Sequence, residues 1–263
     1  MANLKITVYD GQNVKKDVVS GRDQAIMVYK KEYQPGDKIL FETDEPDTYY
    51  IIRVDSSMDE AYVYLTKPSL QYDIPFQEKK ASYNPAAFTG TYHYITMRKA
   101  EEYENCCYRN LAKNVMDQHQ DLGCYPHAHA NTETRGESVF AARNCLDGLL
   151  ANQYHGVWPY SSWGINRQDD AEITVEFGRP VDIYRICLYT RADFPHDNWW
   201  VQASINFSDG SEQIVNMDKS IKPHIFDIKK EQILWMKLSH LIKSDDPSPF
   251  PALTQIEVYG KNS

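Results

Sequence analysis

The chain has 263 residues, of which 42% are hydrophobic and 25% are charged, the balance of a globular protein with enough apolar material for two domains of about 100–150 residues. Its net charge of −9 and the lack of a Lys/Arg stripe argue against nucleic acid as a partner. No apolar run approaches the roughly 18 residues of a membrane span, so we expect no membrane partner.

Residues 1–98 are predicted to form a succession of short strands. Leu4, Ile6 and Val8 alternate with polar residues, which is the period of a half-buried strand. Turn residues at 34–37 and 45–47 separate later segments rich in Tyr, Ile and Val. Strands at this spacing, without βαβ alternation, favour a β-sandwich.

The composition changes after this region. Residues 99–124 are polar, carry few β-branched side chains and include a possible helical segment. We place a domain boundary near residue 102, which gives an N-terminal domain of residues 1–102 and a second domain of residues 103–263.

The strand pattern returns at residue 171. Residues 171–178 and 180–191 read as two strands, the second of them central, and the Asp209-Gly210 step predicts a hairpin. Further strands are expected at 224–232, 233–243 and 253–261, with a Pro-rich loop at 244–251. The predicted fold class is therefore all-β, with two β-sandwich domains.

Five cysteines, including the adjacent pair Cys106 and Cys107, lack the even count and regular spacing of a disulfide framework. The N-terminal residues enter a strand directly, without the basic and apolar regions of a signal peptide. We expect reduced thiols and a cytoplasmic location; a mature fragment of a secreted protein would have the same features.

The loop at residues 191–200 is the strongest candidate for a binding site. It follows one predicted strand and precedes another, and rigid β-scaffolds place binding groups on such loops. An indole stacks on the C–H face of a sugar, while Arg donates to and Asp accepts from its hydroxyls. The candidate ligand-binding residues here are Arg191, Asp193, His196, Asp197 and Trp199.

A purely structural role for this loop is the alternative. In that case one Trp caps the core and Arg–Asp pairs lock the turn. Because side chains alternate along a strand, one of Trp199 and Trp200 should point inward, and we assign Trp199 to the ligand side.

Two other functions, zinc binding and catalysis, have weaker support in the sequence. Cys124, His127 and His129, with His119 nearby, do not have a standard zinc spacing, and chance histidines of a polar loop explain them better. The carboxylates at residues 169–170 precede a strand in a solvated turn, and no G-x-S-x-G motif occurs. We therefore predict that the chain is not an enzyme.

Five short motifs recur in the order and spacing of a discoidin domain, also called a coagulation-factor type C domain, of the galactose-binding-like superfamily. The resemblance covers about residues 104–261. Its motifs are Asn110-Leu111-Ala112, residues 142–148 (ARNCLDG), Trp158 or Trp163, residues 173–178 (ITVEFG) and residues 255–260 (QIEVYG). It implies an antiparallel jelly-roll sandwich of about eight strands. Many bacterial members are carbohydrate-binding modules that hold the sugar in loops at one end. Residues 1–102 resemble no known family.

The resemblance adds a second loop and a metal. Residues 155–163 would lie near the first loop, with Trp158 walling the pocket and His155 contacting a hydroxyl, whereas Trp163 would be core. Family members often carry a structural Ca²⁺ near the Asp-Gly turn, and Asp147 matches one of its ligands. The second acidic ligand aligns with Gln255, a departure that puts calcium in doubt.

The resulting prediction is non-catalytic binding of a mono- or oligosaccharide by the second domain. The alternatives are an intracellular protein-interaction module on the same fold, and an accessory subunit of a glycoside-processing enzyme. A concave pocket with inward Arg and Asp favours sugar, and a broad flat aromatic patch favours protein.

Overall fold

The computed structural model describes residues 1–151, 156, 158–192 and 197–263, and nearly all of its regular structure is β. Two hydrophobic cores form, one for each of two β-sandwiches, which confirms the predicted all-β fold class. The strands of the first sandwich are β1 (Asn3–Tyr9), β2 (Lys15–Arg22), β3 (Gln24–Tyr29), β4 (Lys38–Thr43), β5 (Thr48–Arg53), β6 (Ala61–Leu65), β7 (Ser69–Asp73) and β8 (His93–Lys99).

The first sandwich packs a four-stranded sheet, in the order β2-β1-β4-β7, against a second sheet that contains β6, β5, β8 and β3. Leu4, Ile6 and Val8 of β1 are buried in the core between the sheets, as their alternation predicts. Ile6 lies opposite Phe41 of β4 in an antiparallel register. The period-two pattern therefore selects the face that β1 buries.

The strands of the second sandwich and of the segment that leads into it are β9 (Arg109–Asn110), β10 (Cys124–Tyr125), β11 (His127–Ala130), β12 (Trp163–Gly164), β13 (Ile173–Thr190), β14 (Trp200–Phe207), β15 (Glu212–Asn216), β16 (His224–Lys243) and β17 (Ala252–Asn262). Apart from β10, they form one antiparallel network in which β13 pairs with β11, β16 and β17, and β14 pairs with β15 and β16. The loop predicted at residues 244–251 separates β16 from β17, as expected.

Two long strands connect the layers of this second sandwich. We predicted separate strands at 171–178 and 180–191, but β13 runs through both, with Gly178 at φ +69° and a register shift between Glu176 and Val181. The first half of β13 pairs with β11 and the second half with β17. Likewise β16 is one strand, with Gln232 at φ +57°. Bulges of this kind bend a strand while its hydrogen bonding continues. A residue in a turn-like conformation, such as Gly178 or Gln232, therefore does not end the strand.

The first sandwich also takes residues from beyond residue 102. Strand β10 adds to the second sheet by pairing with β6, Cys124 opposite Leu65. Val115 and Met116 join Cys124 in the first core. A boundary near residue 102 stays a prediction, and residues up to 125 contribute to the first sandwich.

Helices are few and short. The α-helix α1 spans Glu102–Asn105, and the 3₁₀ turns span Gln77–Lys80, Thr134–Gly136, Ser138–Phe140 and Ala142–Leu146. The last of these precedes the Asp147-Gly148 turn. None of the described helices is long and apolar enough to cross a membrane.

Aromatic and cationic side chains join the two sandwiches. The rings of Tyr49 and Tyr62 stack at 5.3 Å, and the Arg109 guanidinium lies 3.7 Å from the Tyr62 ring centroid. The amide of Asn262 donates to the Tyr62 hydroxyl at 3.0 Å. This junction fixes the end of β17 against the first sandwich.

Close approach of β17 to β13 predicts a large stability loss for Gly260→Ala. A Cβ at Gly260 would lie 2.0 Å from the carbonyl oxygen of Asp182, so backbone must shift. We expect the free energy of unfolding to fall by about 3 kcal/mol, measured by urea denaturation. The control is Gly210→Ala, where no described atom lies within 4 Å of the added Cβ and only the φ of +82° opposes it. That strain costs about 1 kcal/mol, so equal losses for the two variants would contradict the contact.

Candidate functional site

Arg191 holds together the two loops that sequence analysis selected. Its backbone N–H donates to the Ala252 carbonyl at 2.8 Å, and its guanidinium donates to the Tyr160 carbonyl and, at 3.2 Å, to Asp197 Oδ2. Arg191 is only 2% exposed and Asp197 only 4%. The structure therefore brings Tyr160, Arg191 and Asp197 together in the second sandwich.

The ion pair itself is the arrangement expected if the two residues lock the loops. Desolvated charges are stable only when they are paired and hydrogen-bonded, and the Arg191–Asp197 pair meets that condition. A role for Arg191 and Asp197 in direct ligand contact stays a prediction, and their burial favours a role in positioning.

The two adjacent tryptophans point in different directions. Trp200, the first residue of β14, is fully buried beside Trp163, with ring centroids 6.3 Å apart. Trp199 is half-buried, and the Lys219 ammonium lies 5.1 Å from its ring. The inward residue is thus Trp200, which leaves the Trp199 indole facing outward, in the direction assigned to a ligand.

Trp158 is also half-buried, and its indole Nε1 has no hydrogen-bond partner among the described residues. Trp163 is fully buried and donates from Nε1 to the Thr132 carbonyl at 2.9 Å, the core role that the resemblance implies. Trp158 and Trp199 are therefore the two indoles with exposed area on the predicted loops.

The predicted Pro-rich loop at residues 244–251 also supports the site, and its contacts with Asn198 were not predicted from the sequence. Asn198 is fully buried and donates to the carbonyls of Asp246 at 3.2 Å and Ser248 at 2.6 Å. Its Oδ1 accepts from Ser244 Oγ at 2.7 Å. The signal was the Pro-rich segment 244–251, which needs side-chain donors because it lacks ladder hydrogen bonds.

Three of the predicted site residues, His155, Asp193 and His196, lie outside the described residues. The expectation that they contact ligand hydroxyls remains a prediction.

Asp147 occupies the turn where the resemblance implied calcium. It is 8% exposed; Oδ1 accepts from the Leu149 N–H at 2.8 Å and Oδ2 has no partner among the described residues. Gln255 Oε1 accepts from the Gly148 N–H at 3.2 Å. Burial raises the pKa of Asp147 to about 7, against the opposing influence of the nearby cations Arg143 and Lys113.

This donor set does not fit Ca²⁺. The ion takes about six to eight oxygen ligands, with several carboxylates among them in tight sites. Here one carboxylate and one amide oxygen are available, and two cationic side chains act on the same turn. No group of three or more His, Cys, Asp or Glu side chains among the described residues is placed to hold a metal.

The raised pKa predicts that Asp147→Asn stabilises the fold at neutral and higher pH. Between the usual pKa of 3.8 and the folded value of about 7, the folded state binds the proton that the unfolded state has lost, so stability falls as pH rises. Asparagine has no such penalty. We expect its advantage in unfolding free energy to grow by about 3 kcal/mol from pH 5 to pH 8, measured by urea denaturation.

Calcium binding at Asp147 would give a different result. If the turn held Ca²⁺, adding the ion would raise the melting temperature of the wild type and Asp147→Asn would abolish that rise. We expect no calcium-dependent change in either protein.

The histidines considered for a zinc site lie in different environments. His127 is buried, with Nδ1 2.8 Å from Asp117 Oδ1, whereas His129 and His119 are exposed. Burial raises the pKa of the Cys124 thiol well above its usual range, which disfavours the thiolate that zinc requires. That these histidines do not form a zinc site stays a prediction.

The cysteines and the carboxylates at residues 169–170 are the other groups that the sequence singled out for their chemistry. All five cysteines are free thiols, with Cys106 and Cys107 exposed. Residues 169 and 170 are exposed in a turn before β13. They are not placed as a buried acid/base pair.

No family model matches this chain. No curated protein matches it either.

Several solved structures are similar to part of the chain, and they are carbohydrate-binding modules. Chitosan-binding module 1 of a chitosanase/glucanase from Paenibacillus sp. IK-5 is 19% identical over 57% of this chain and 98% of its own, with a TM-score of 0.39. A Streptococcus pneumoniae fucose-binding module is 16% identical over 58% and 98%, with a TM-score of 0.41. A Clostridium perfringens protein in complex with GlcNAc-α-1,4-galactose is 17% identical over 61% and 97%, also at 0.41. At these values the likeness does not assign a ligand to this chain.

Proposed function

We propose that this chain is a non-catalytic carbohydrate-binding protein. The second sandwich binds a mono- or oligosaccharide where residues 158–160 meet Arg191 and residues 197–199. Trp158 and Trp199 supply the stacking surfaces.

The observation that supports the proposal is that Arg191 joins the two chain segments that carry Trp158 and Trp199. Trp158 is two residues from Tyr160, and Trp199 is two residues from Asp197; Arg191 contacts both of these partners. Two residues span at most about 7 Å, so each tryptophan is on the same short segment as a residue that Arg191 contacts. A pair of partly exposed indoles on two joined loops matches the apolar faces of a sugar ring.

Polar recognition falls to other side chains of the same loops. Arg191 and Asp197 are nearly inaccessible and hold the frame. His155, Asp193 and His196 are the residues proposed to meet hydroxyl groups, since imidazole and carboxylate groups can donate to or accept from them. A hydroxyl that satisfies such a partner gives specificity, because an analogue without it leaves the partner unpaired.

A glycan-array screen of the wild-type protein, with Ca²⁺ and with a chelator, tests the proposal. We expect selective binding of a small set of neutral glycans that the chelator does not change. Failure to bind any glycan under both conditions would remove the proposed function and favour the protein-interaction alternative.

A further inference from the structure

A cleft of about 690 Å³ lies between the two sandwiches. Small-molecule sites typically measure about 300–1,000 Å³ and occur preferentially at domain interfaces. One wall, from the first sandwich, includes Phe76, Glu78 and Lys79; the other, from residues 118–143, includes His119, Gln120 and Glu133.

Two hydrogen-bonded pairs set the width of this interdomain cleft. The Asp73 N–H donates to Gln118 Oε1 at 3.1 Å, and the Gln118 amide donates to the Asp73 carbonyl at 2.8 Å. The Ser138 N–H donates to Glu78 Oε1 at 2.6 Å, and its hydroxyl donates to the Glu78 carbonyl at 2.7 Å. The walls are therefore held in place without a ligand, as a preformed site requires.

Arg143 also lines the cleft and joins its two walls. It is 7% exposed and donates to the Asp117 carbonyl at 2.6 Å and, at 3.4 Å, to Ser82 Oγ of the first sandwich. Its guanidinium lies 4.4 Å from the Tyr83 ring centroid. One buried side chain thus contacts both halves of the cleft.

The lining suits a neutral, hydroxyl-rich ligand. Four carboxylates, from Asp37, Asp73, Glu78 and Glu133, are matched by three permanently charged bases and one histidine, with His119 Nδ1 3.5 Å from Glu133 Oε2. A ligand of either net charge would meet groups of its own sign. A hydroxyl both donates and accepts, so it complements carboxylate, amide and ammonium groups alike.

The loop that carries Trp158 is hydrogen-bonded to the stretch of chain beside the cleft wall. The Ser162 N–H donates to the Val139 carbonyl at 3.0 Å, next to the Ser138 that bonds Glu78. Burial raises the pKa of Tyr160, and the carboxylates of Glu137 and Glu78 add to that rise. Tyr160, whose carbonyl accepts from Arg191, is two residues before Ser162 in the same loop.

We infer that the sugar-binding surface extends from the Trp158 and Trp199 loops into the interdomain cleft, so that the ligand is a chain of several neutral sugars and not a single terminal one. The inference rests on the proposed function and specifies its ligand class. The loops would bind one unit, and the cleft would bind further units of the same chain.

Chain-length dependence of binding tests this directly. The probes are ladders of neutral glucose, galactose and N-acetylglucosamine oligomers, from one to six units each, titrated by calorimetry. For the ladder that the wild type binds, we expect affinity to rise about tenfold or more from the monosaccharide to the tetrasaccharide, as one or two additional hydrogen-bonded contacts would produce.

The double variant Lys79→Ala/Gln120→Ala removes one exposed polar side chain from each wall. It should lose the rise with length and keep the wild-type affinity for the monosaccharide. The matched control is Gln24→Ala/Lys30→Ala, which removes the same side-chain types from exposed positions that do not line the cleft. It should keep the full rise, and all three proteins should melt at similar temperatures.

The outcomes separate the two proposals. Equal wild-type affinity for monosaccharide and tetrasaccharide, or an unchanged rise in the cleft variant, would overturn the cleft inference and leave the loop site standing. No binding of any ladder member would overturn the proposed function and the inference with it.

Discussion

Arg191→Ala should lower the free energy of unfolding by about 3–5 kcal/mol. The substitution leaves the Asp197 carboxylate, 4% exposed, without the guanidinium that lies 3.2 Å away. It also removes the donor to the Tyr160 carbonyl. Removing one partner of a buried ion pair is among the most costly changes in a fold, so the loss should be clear in urea denaturation.

A surface ion pair provides the matched control. Arg185 Nε lies 2.7 Å from Asp227 Oδ1, but the side chains are 45% and 73% exposed. Exposed pairs contribute about 0–1 kcal/mol, so Arg185→Ala should change stability little. If the two alanine variants were equally stable, the Arg191 pair would not be the buried link described above.

A double variant distinguishes a broken pair from a lost contact. Arg191→Met/Asp197→Leu removes both charges, and replacing a buried pair by apolar groups is often neutral or stabilising. It should recover a large part of the stability that Arg191→Ala loses. Any glycan-binding result for Arg191→Ala therefore needs this stability measurement beside it, because a misfolded loop also loses its ligand.

Trp158→Ala and Trp199→Ala should each weaken glycan binding by about thirtyfold or more, equivalent to about 2 kcal/mol. Each substitution removes a half-buried indole from the loops that Arg191 joins. Because neither indole is in the core, both variants should stay folded. Calorimetric titration with the best glycan from the array gives the affinities.

Trp235 is the control for these two variants. It is also half-buried, but it lies within β16, opposite Glu176 of β13, and not on the loops. Trp235→Ala should bind the glycan as the wild type does. Equal weakening by all three substitutions would point to a general loss of structure and not to a stacking site.

The sequence was sufficient for the fold class and for the buried face of β1. The period-two pattern identified the inward residues of β1, because one sheet face must be apolar. Such patterns could not show that β13 and β16 are each continuous. A left-handed φ at Gln232, a residue with no special turn preference, bends the strand without ending it.

The sequence could not predict which partner each side chain of the site contacts. The sequence placed Arg191 and Asp197 in one loop, but their types are equally suited to contact a ligand or to pair with each other. The structure pairs them. The interdomain cleft depends on contacts between residues 45 to 61 positions apart in the sequence, such as Asp73 with Gln118 and Arg143 with Ser82. Local sequence patterns do not reveal contacts over such separations.

The most direct test of the central claim is a titration followed by the indole N–H signals in ¹⁵N–¹H NMR spectra. The chain has five tryptophans, so each signal can be assigned by single substitution. Addition of the best array glycan should shift the signals of Trp158 and Trp199 and leave that of Trp235 unchanged. A saturable shift confined to Trp235, or no indole shift on binding, would contradict a stacking site on these loops.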